Sequence, residues 1–229
     1  MKQKMNLQPA KLTSRKFYNK WLYKITLTIG GANVLRYDLN KVEDMCTTES
    51  PDAHYWGWQN KAYADREFIT KIVYFLISKD KNLWSKRVER SFVDFYTNDK
   101  DFFNELSELA GERIIHRYEP TSSSTEILMD SATNVAVIKY PHDRYKHKVY
   151  LLPHKMKGDK ESKQRYLDWL KKQCPKVTCT KAVEKWFLDT DWNWDRRYIL
   201  VEDEAMLLML KLRNSDVVGR VYNYILTDK

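Results

Sequence analysis

At 229 residues, with 43% hydrophobic and 31% charged residues and a net charge of +9, the chain has material for one large domain or two small ones and reads as globular rather than disordered. No apolar run approaches the roughly 18–20 residues of a membrane span, and no apolar stretch follows the basic N-terminus to make a secretory signal. Three cysteines (Cys46, Cys174, Cys179) are too few and odd in number for a disulfide framework, so the expectation is a soluble, cytoplasmic protein with no membrane partner.

Residues 1–20 read as a basic N-terminal arm. They belong to a stretch, 1–24, that holds seven Lys/Arg and no acid, among them Lys11, Arg15, Lys16 and Lys20, with Phe17 and Tyr18 near its end. Such arms wrap polyanions, or stay solvated as tails. A first α+β unit is expected over 21–120. Its strand 21–29 ends at Gly30-Gly31, a short helix follows over 38–47 with Asp38 as its cap, and 48–60 is a loop carrying Trp56 and Trp58. The 3–4 spacing of Phe68, Ile69, Ile72, Phe75 and Leu76 predicts a helix over 62–78. A weakly marked strand near 83–88, a strand over 89–97, a helix over 98–112 capped by Asn98 or Asp99, and a strand over 113–119 complete the unit.

Residues 121–145 are predicted to connect the halves through a β-hairpin, with strands at 125–131 and 135–140 turning at 132–134. The second unit, 146–229, reads as strand 147–152, helix 160–173, strand 183–188, strand 197–202, helix 203–214 and strand 217–226. At an offset of 104 residues Asp99 matches Asp203, Leu106 matches Leu210 and Tyr118 matches Tyr222. The expected fold class is thus α+β, with two tandem ferredoxin-like (split βαβ) units on mixed or antiparallel sheets.

The densest interleaving of cations and aromatics lies within 140–176, which carries eleven Lys/Arg against four acids. Arg144, Lys146, Lys148, Lys155 and Lys157 would neutralise phosphates, while Tyr145 and Tyr150 offer flat faces for bases. Strand alternation would set Arg144, Lys146 and Lys148 on one face and Tyr145, His147 and Val149 on the other. A solvated strand edge guarded by lysines has the same composition. Trp192, Trp194, Arg196 and Arg197 form a loop able to stack on bases or a protein partner and to grip phosphate.

Chemistry-bearing motifs are scarce. GxxxxGK[ST], GxGxxG, GxSxG and HExxH are all absent, so no nucleotide cofactor is expected. Cys174 and Cys179 are spaced C-x4-C with no second pair, so no metal site is assigned. Glu202-Asp203-Glu204 fits the start of a helix. The run Leu207, Leu208, Met209, Leu210 and Leu212 makes a helix apolar nearly all round, suited to a core or a subunit interface.

The leading expectation is a non-catalytic protein that binds RNA or single-stranded DNA, stacking bases on strand aromatics drawn from Tyr23, Phe95, Tyr96, Tyr118, Tyr198, Tyr222 and Tyr224. An alternative is a metal-independent endoribonuclease, with His142, His147 or His154 and Tyr145 as acid and base. In inferred topology and size the chain resembles the CRISPR RNA processing enzymes built from paired ferredoxin-like domains. Their glycine-rich C-terminal loop is missing, Gly219 being the only glycine after Gly158. A third reading is a structural or assembly protein of a viral particle or replication complex.

Overall fold

Two mixed sheets, each with helices packed on one face, organise the chain, as the computed structural model shows for residues 9–47, 65–156, 159–188 and 198–227. The chain is α+β and divides into two compact units, Met1–Thr125 and Glu126–Lys229.

The first sheet runs β1-β5-β2-β4-β3, from strands β1 (Lys11–Leu12), β2 (Tyr23–Thr28), β3 (Trp84–Glu89), β4 (Phe92–Thr97) and β5 (Ile114–Glu119). Helices α1 (Leu39–Thr47) and α2 (Arg66–Ile77) join β2 to β3, and α3 (Lys100–Ala110) joins β4 to β5. Strand β4 lies between β2 and β3, and β2 lies between β4 and β5, all antiparallel, so each βαβ pair is split by an intervening strand. Carboxylates start these helices. Asp65 accepts from the Phe68 N–H, Asp99 from the Asp101 and Phe102 N–H groups, and the Asn40 N–H donates to Asp38. The inner residues of β2 and β4 (Ile25, Leu27, Val93, Phe95) are buried, as are Ile69, Ile72 and Leu76 of α2 and Phe102, Phe103 and Leu106 of α3. Each such side chain contributes about 1.5–3 kcal/mol of burial free energy.

The strands expected near 83–88 and over 89–97 are both present as β3 and β4, the second starting at Phe92 because residues 90–91 turn the chain into a hairpin. Arg90 adopts a left-handed φ of 57° at a two-residue turn, and Glu89 pairs with Phe92. The expected arm is folded from residue 9 onward: β1 lies parallel to β5, and Phe17 and Trp21 exchange backbone hydrogen bonds around a turn with left-handed Tyr18 and Asn19.

The second sheet runs β6-β9-β7-β8, from β6 (Asn134–Val137), β7 (His147–Leu151), β8 (Tyr198–Val201) and β9 (Val218–Leu226). Ahead of it lies α4 (Ser122–Asp130); α5 (Lys160–Lys172) and α6 (Lys181–Leu188) lie between β7 and β8, and α7 (Glu204–Asn214) joins β8 to β9. Val149, Leu151, Ile199 and Val201 pack with Tyr166, Leu167 and Leu170 of α5, Val183 and Phe187 of α6, and Met206, Leu207 and Leu210 of α7.

Two expectations are corrected here. The hairpin over 121–145 is replaced by helix α4 and by β6, which pairs in parallel with β9. Thr121 Oγ1 accepts the Ser124 N–H and starts the helix, and Leu128 is fully buried on its inner side. The strand over 183–188 is helix α6: the Val183 N–H bonds Thr180 Oγ1, and Val183 and Phe187, four apart, share the buried face. The place beside β8 is taken by residues 176–178, where Val177 bridges Val201 and the Thr178 N–H donates to the Leu200 carbonyl.

Both sheets keep the strand order of the split βαβ plan, β5-β2-β4-β3 in the first and β9-β7-β8 in the second. Each has an added parallel edge strand, β1 or β6, and in the second unit the counterpart of β3 shrinks to that single bridge. They share other details. The β2·β5 ladder shifts register after Thr26, and the β7·β9 ladder shifts between Val149 and Leu151. Lys24 stands opposite Tyr118 in one and Lys148 opposite Tyr222 in the other.

Candidate nucleic-acid interface

Because Val149 and Leu151 pack against α5, α6 and α7, Lys148 and Tyr150 of β7 lie on the opposite side of the second sheet. Across the ladders Tyr150 meets Tyr198 and Lys148 meets Tyr222. The Tyr150 ring centroid lies 5.9 Å from those of both Tyr198 and Tyr222. The Lys148 ammonium sits 3.9 Å from the Tyr198 centroid and 5.1 Å from that of Tyr150. Arg220 of β9 donates to the Tyr222 hydroxyl at 3.3 Å. No acidic residue occurs on any of the four strands. Next to Tyr198 and Leu200 a pocket is lined by His142, Thr178, Thr180, Ala182 and Val183.

The matching face of the first sheet is internally satisfied. Lys24 pairs with Asp94 at 2.9 Å while lying near the rings of Phe17, Tyr96 and Tyr118. Asp94 also accepts from the Thr26 and Tyr96 hydroxyls at 2.6 and 3.0 Å. Phe17 and Tyr18 fold onto Tyr96, with centroids 6.0 and 5.2 Å away, and Arg87 donates to the Tyr18 hydroxyl at 2.8 Å. Burial pushes the Tyr96 phenol well above its usual range, aided by its bond to Tyr18. The Tyr18 phenol moves down, through its bonds to Tyr96 and then Arg87.

Of the residues expected to bind nucleic acid, Lys148 lies on β7 and Lys146 just ahead of it, and Lys155 is exposed in the turn after β7. Arg144 is drawn into an ion pair with Glu202 at 3.2 Å. Tyr145 is buried, its hydroxyl donating to the Pro175 carbonyl at 2.9 Å, so its ring serves the core rather than a base. Lys11 contacts His116 Nδ1 at 3.3 Å, Lys20 lies 4.2 Å from the Trp21 ring centroid, Arg15 is exposed and Lys16 half-buried. Lys157, Trp192, Trp194, Arg196 and Arg197, like Trp56 and Trp58, lie outside the described residues. Tyr23 and Phe95 face the helices and are buried. Arg220 went unmarked, although its alternation with Tyr222 and Tyr224 sets all three on one strand face.

The histidines form no shared constellation. His147 is buried with Nδ1 3.0 Å from Asn223 Oδ1, His142 packs edge-on to Tyr145, and His154 is exposed. Burial pushes the Cys179 thiol up to about 11, and the Cys174 thiol donates to the Val177 carbonyl. Among the described residues no three His, Cys, Asp or Glu side chains cluster as metal ligands, and no helix is long and apolar enough to cross a membrane. Comparison of the chain with protein-family models, curated proteins and solved structures returns no match.

Proposed function

We propose that the chain binds single-stranded nucleic acid, RNA or DNA, on the face of its second sheet opposite α5, α6 and α7, without catalysing a reaction on it. The observation that carries this reading is Lys148 set against Tyr198 and Tyr150 on strands that carry no acidic residue. Tyrosine rings supply stacking surfaces that accept any base, and Lys146, Lys148 and Arg220 supply charge for the phosphates between them. A single strand suits this surface better than a duplex, because duplex bases are already stacked on one another.

Fluorescence anisotropy with labelled single-stranded RNA, single-stranded DNA and duplex DNA, measured over a salt series, tests the proposal. Binding of the single strands that weakens linearly in log–log form with salt is the expected result. Absence of binding at low salt, or an equal preference for duplex, overturns it. Intact oligonucleotide after long incubation with and without EDTA supports the non-catalytic part, and cleavage overturns that part.

A further inference from the structure

Helix α7 has two apolar faces, and only one is used within the unit. Met206, Leu207 and Leu210 are buried against the second sheet. On the other side Ala205, Leu208, Met209 and Leu212 are exposed, Leu208 by 56%, Met209 by 46% and Leu212 by 78%. Their spacing of i, i+3, i+4 and i+7 is the stripe by which one helix packs on another. Large apolar side chains gathered in this way mark an interaction surface.

The stripe is its own complement. About a point midway between Leu208 and Met209, an antiparallel pairing of two copies sets Leu208 against Met209 and lays the large Leu212 on the small Ala205. It also brings Glu204, at the acidic start of the helix, opposite Arg213 at its basic end. A parallel pairing would instead oppose Leu212 to Leu212 and Arg213 to Arg213. Both charges are available: Arg213 is exposed, with its guanidinium 5.4 Å from the Trp169 ring, and Glu204 is exposed, its carboxylate 3.4 Å from His147 Nε2.

We infer that α7 is a homodimerisation helix, pairing with α7 of a second copy of this chain about a two-fold axis. A stripe of three helical turns lies at the small end of specific interfaces, so the dimer is reversible and concentration-dependent. It uses the outer side of α7 and none of Lys148, Tyr150 or Tyr198, so it does not depend on the nucleic-acid reading.

Sedimentation equilibrium of the full chain over a wide concentration range tests this, with circular dichroism and thermal midpoints confirming that each variant is folded. The wild-type average mass should rise from monomer towards dimer, and Leu208→Lys combined with Leu212→Lys should remain monomeric throughout. Glu204→Arg alone and Arg213→Glu alone should each weaken association by roughly tenfold, since the two-fold axis repeats the contact twice. The double exchange should recover most of that loss. A wild-type chain that stays monomeric at every concentration overturns the inference, as does a double exchange no better than the single ones.

Discussion

Lys148 holds its ammonium 3.9 Å from the ring centroid of Tyr198 on the neighbouring strand, while Lys24, its counterpart in the first sheet, is tied to Asp94. This difference separates a cation available to a ligand from one already neutralised. Replacing Tyr198 with Ala should weaken single-strand binding about tenfold, the loss of one stacked base. Lys148→Ala should lower the slope of log affinity against log salt by about 1. Lys24→Ala should leave that slope unchanged. Anisotropy titrations at several salt concentrations read all three.

Gly219 is fixed by a close approach of backbone. A Cβ there would lie 2.9 Å from the Tyr150 carbonyl oxygen and 3.0 Å from Leu152 Cγ, next to the register shift between β7 and β9. A carbonyl in a paired strand cannot swing aside as a flexible side chain would. Gly219→Ala should therefore cost about 1–3 kcal/mol of stability, measured by urea unfolding.

Tyr166 stacks on Phe187 at 5.6 Å, and its buried hydroxyl has no hydrogen-bond partner among the described residues. Burial pushes the phenol up to about 12 from its usual 10. Below pH 10 both the folded and the unfolded chain keep the proton, and the contribution of this group is intact. Above it the unfolded chain ionises while the folded one does not, so stability falls through the window from about pH 10 to 12, by roughly 2–3 kcal/mol. Tyr166→Phe should remove that part of the alkaline slope and leave stability at neutral pH equal or higher, because it deletes an unpaired buried hydroxyl. Guanidinium melts at several pH values test both parts.

Asp99 and Asp203 begin α3 and α7 in the same way, accepting backbone N–H groups of the first turn. Replacing either with Ala should cost about 1 kcal/mol, and replacing either with Asn much less. Thermal denaturation of the four variants checks this.

The sequence revealed what is local. The alternation in β2 and β7, the caps of α3 and α7, and the 104-residue offset linking Asp99 to Asp203 and Tyr118 to Tyr222 all depend on near neighbours or on equivalent places in the two sheets. Helix α4 was hidden by its opening Thr-Ser-Ser-Ser run, which reads as a loop, and by a contiguous apolar Ile127-Leu128-Met129. Helix α6 was hidden by valine and aromatic residues that favour strands in isolation. At the candidate interface the mixing of lysine and tyrosine was legible. The partners that remove Arg144 and Tyr145 from it, Glu202 and Pro175, are distant in sequence and follow no local pattern.

Strand β9 lies inside its sheet, between β6 and β7, and β6 reaches it only by pairing Val135 with Tyr224 across most of the second unit. In the first sheet, Lys11 likewise waits for Tyr118. Each unit is thus closed by contacts between segments far apart along the chain, which makes folding slow relative to a helical bundle of equal size. During synthesis β6 and β7 emerge with unpaired backbone, and the second sheet gains its interior only when β9 arrives. Truncations within Val218–Leu226 should then release insoluble chains, where loss of an edge strand would merely trim the sheet.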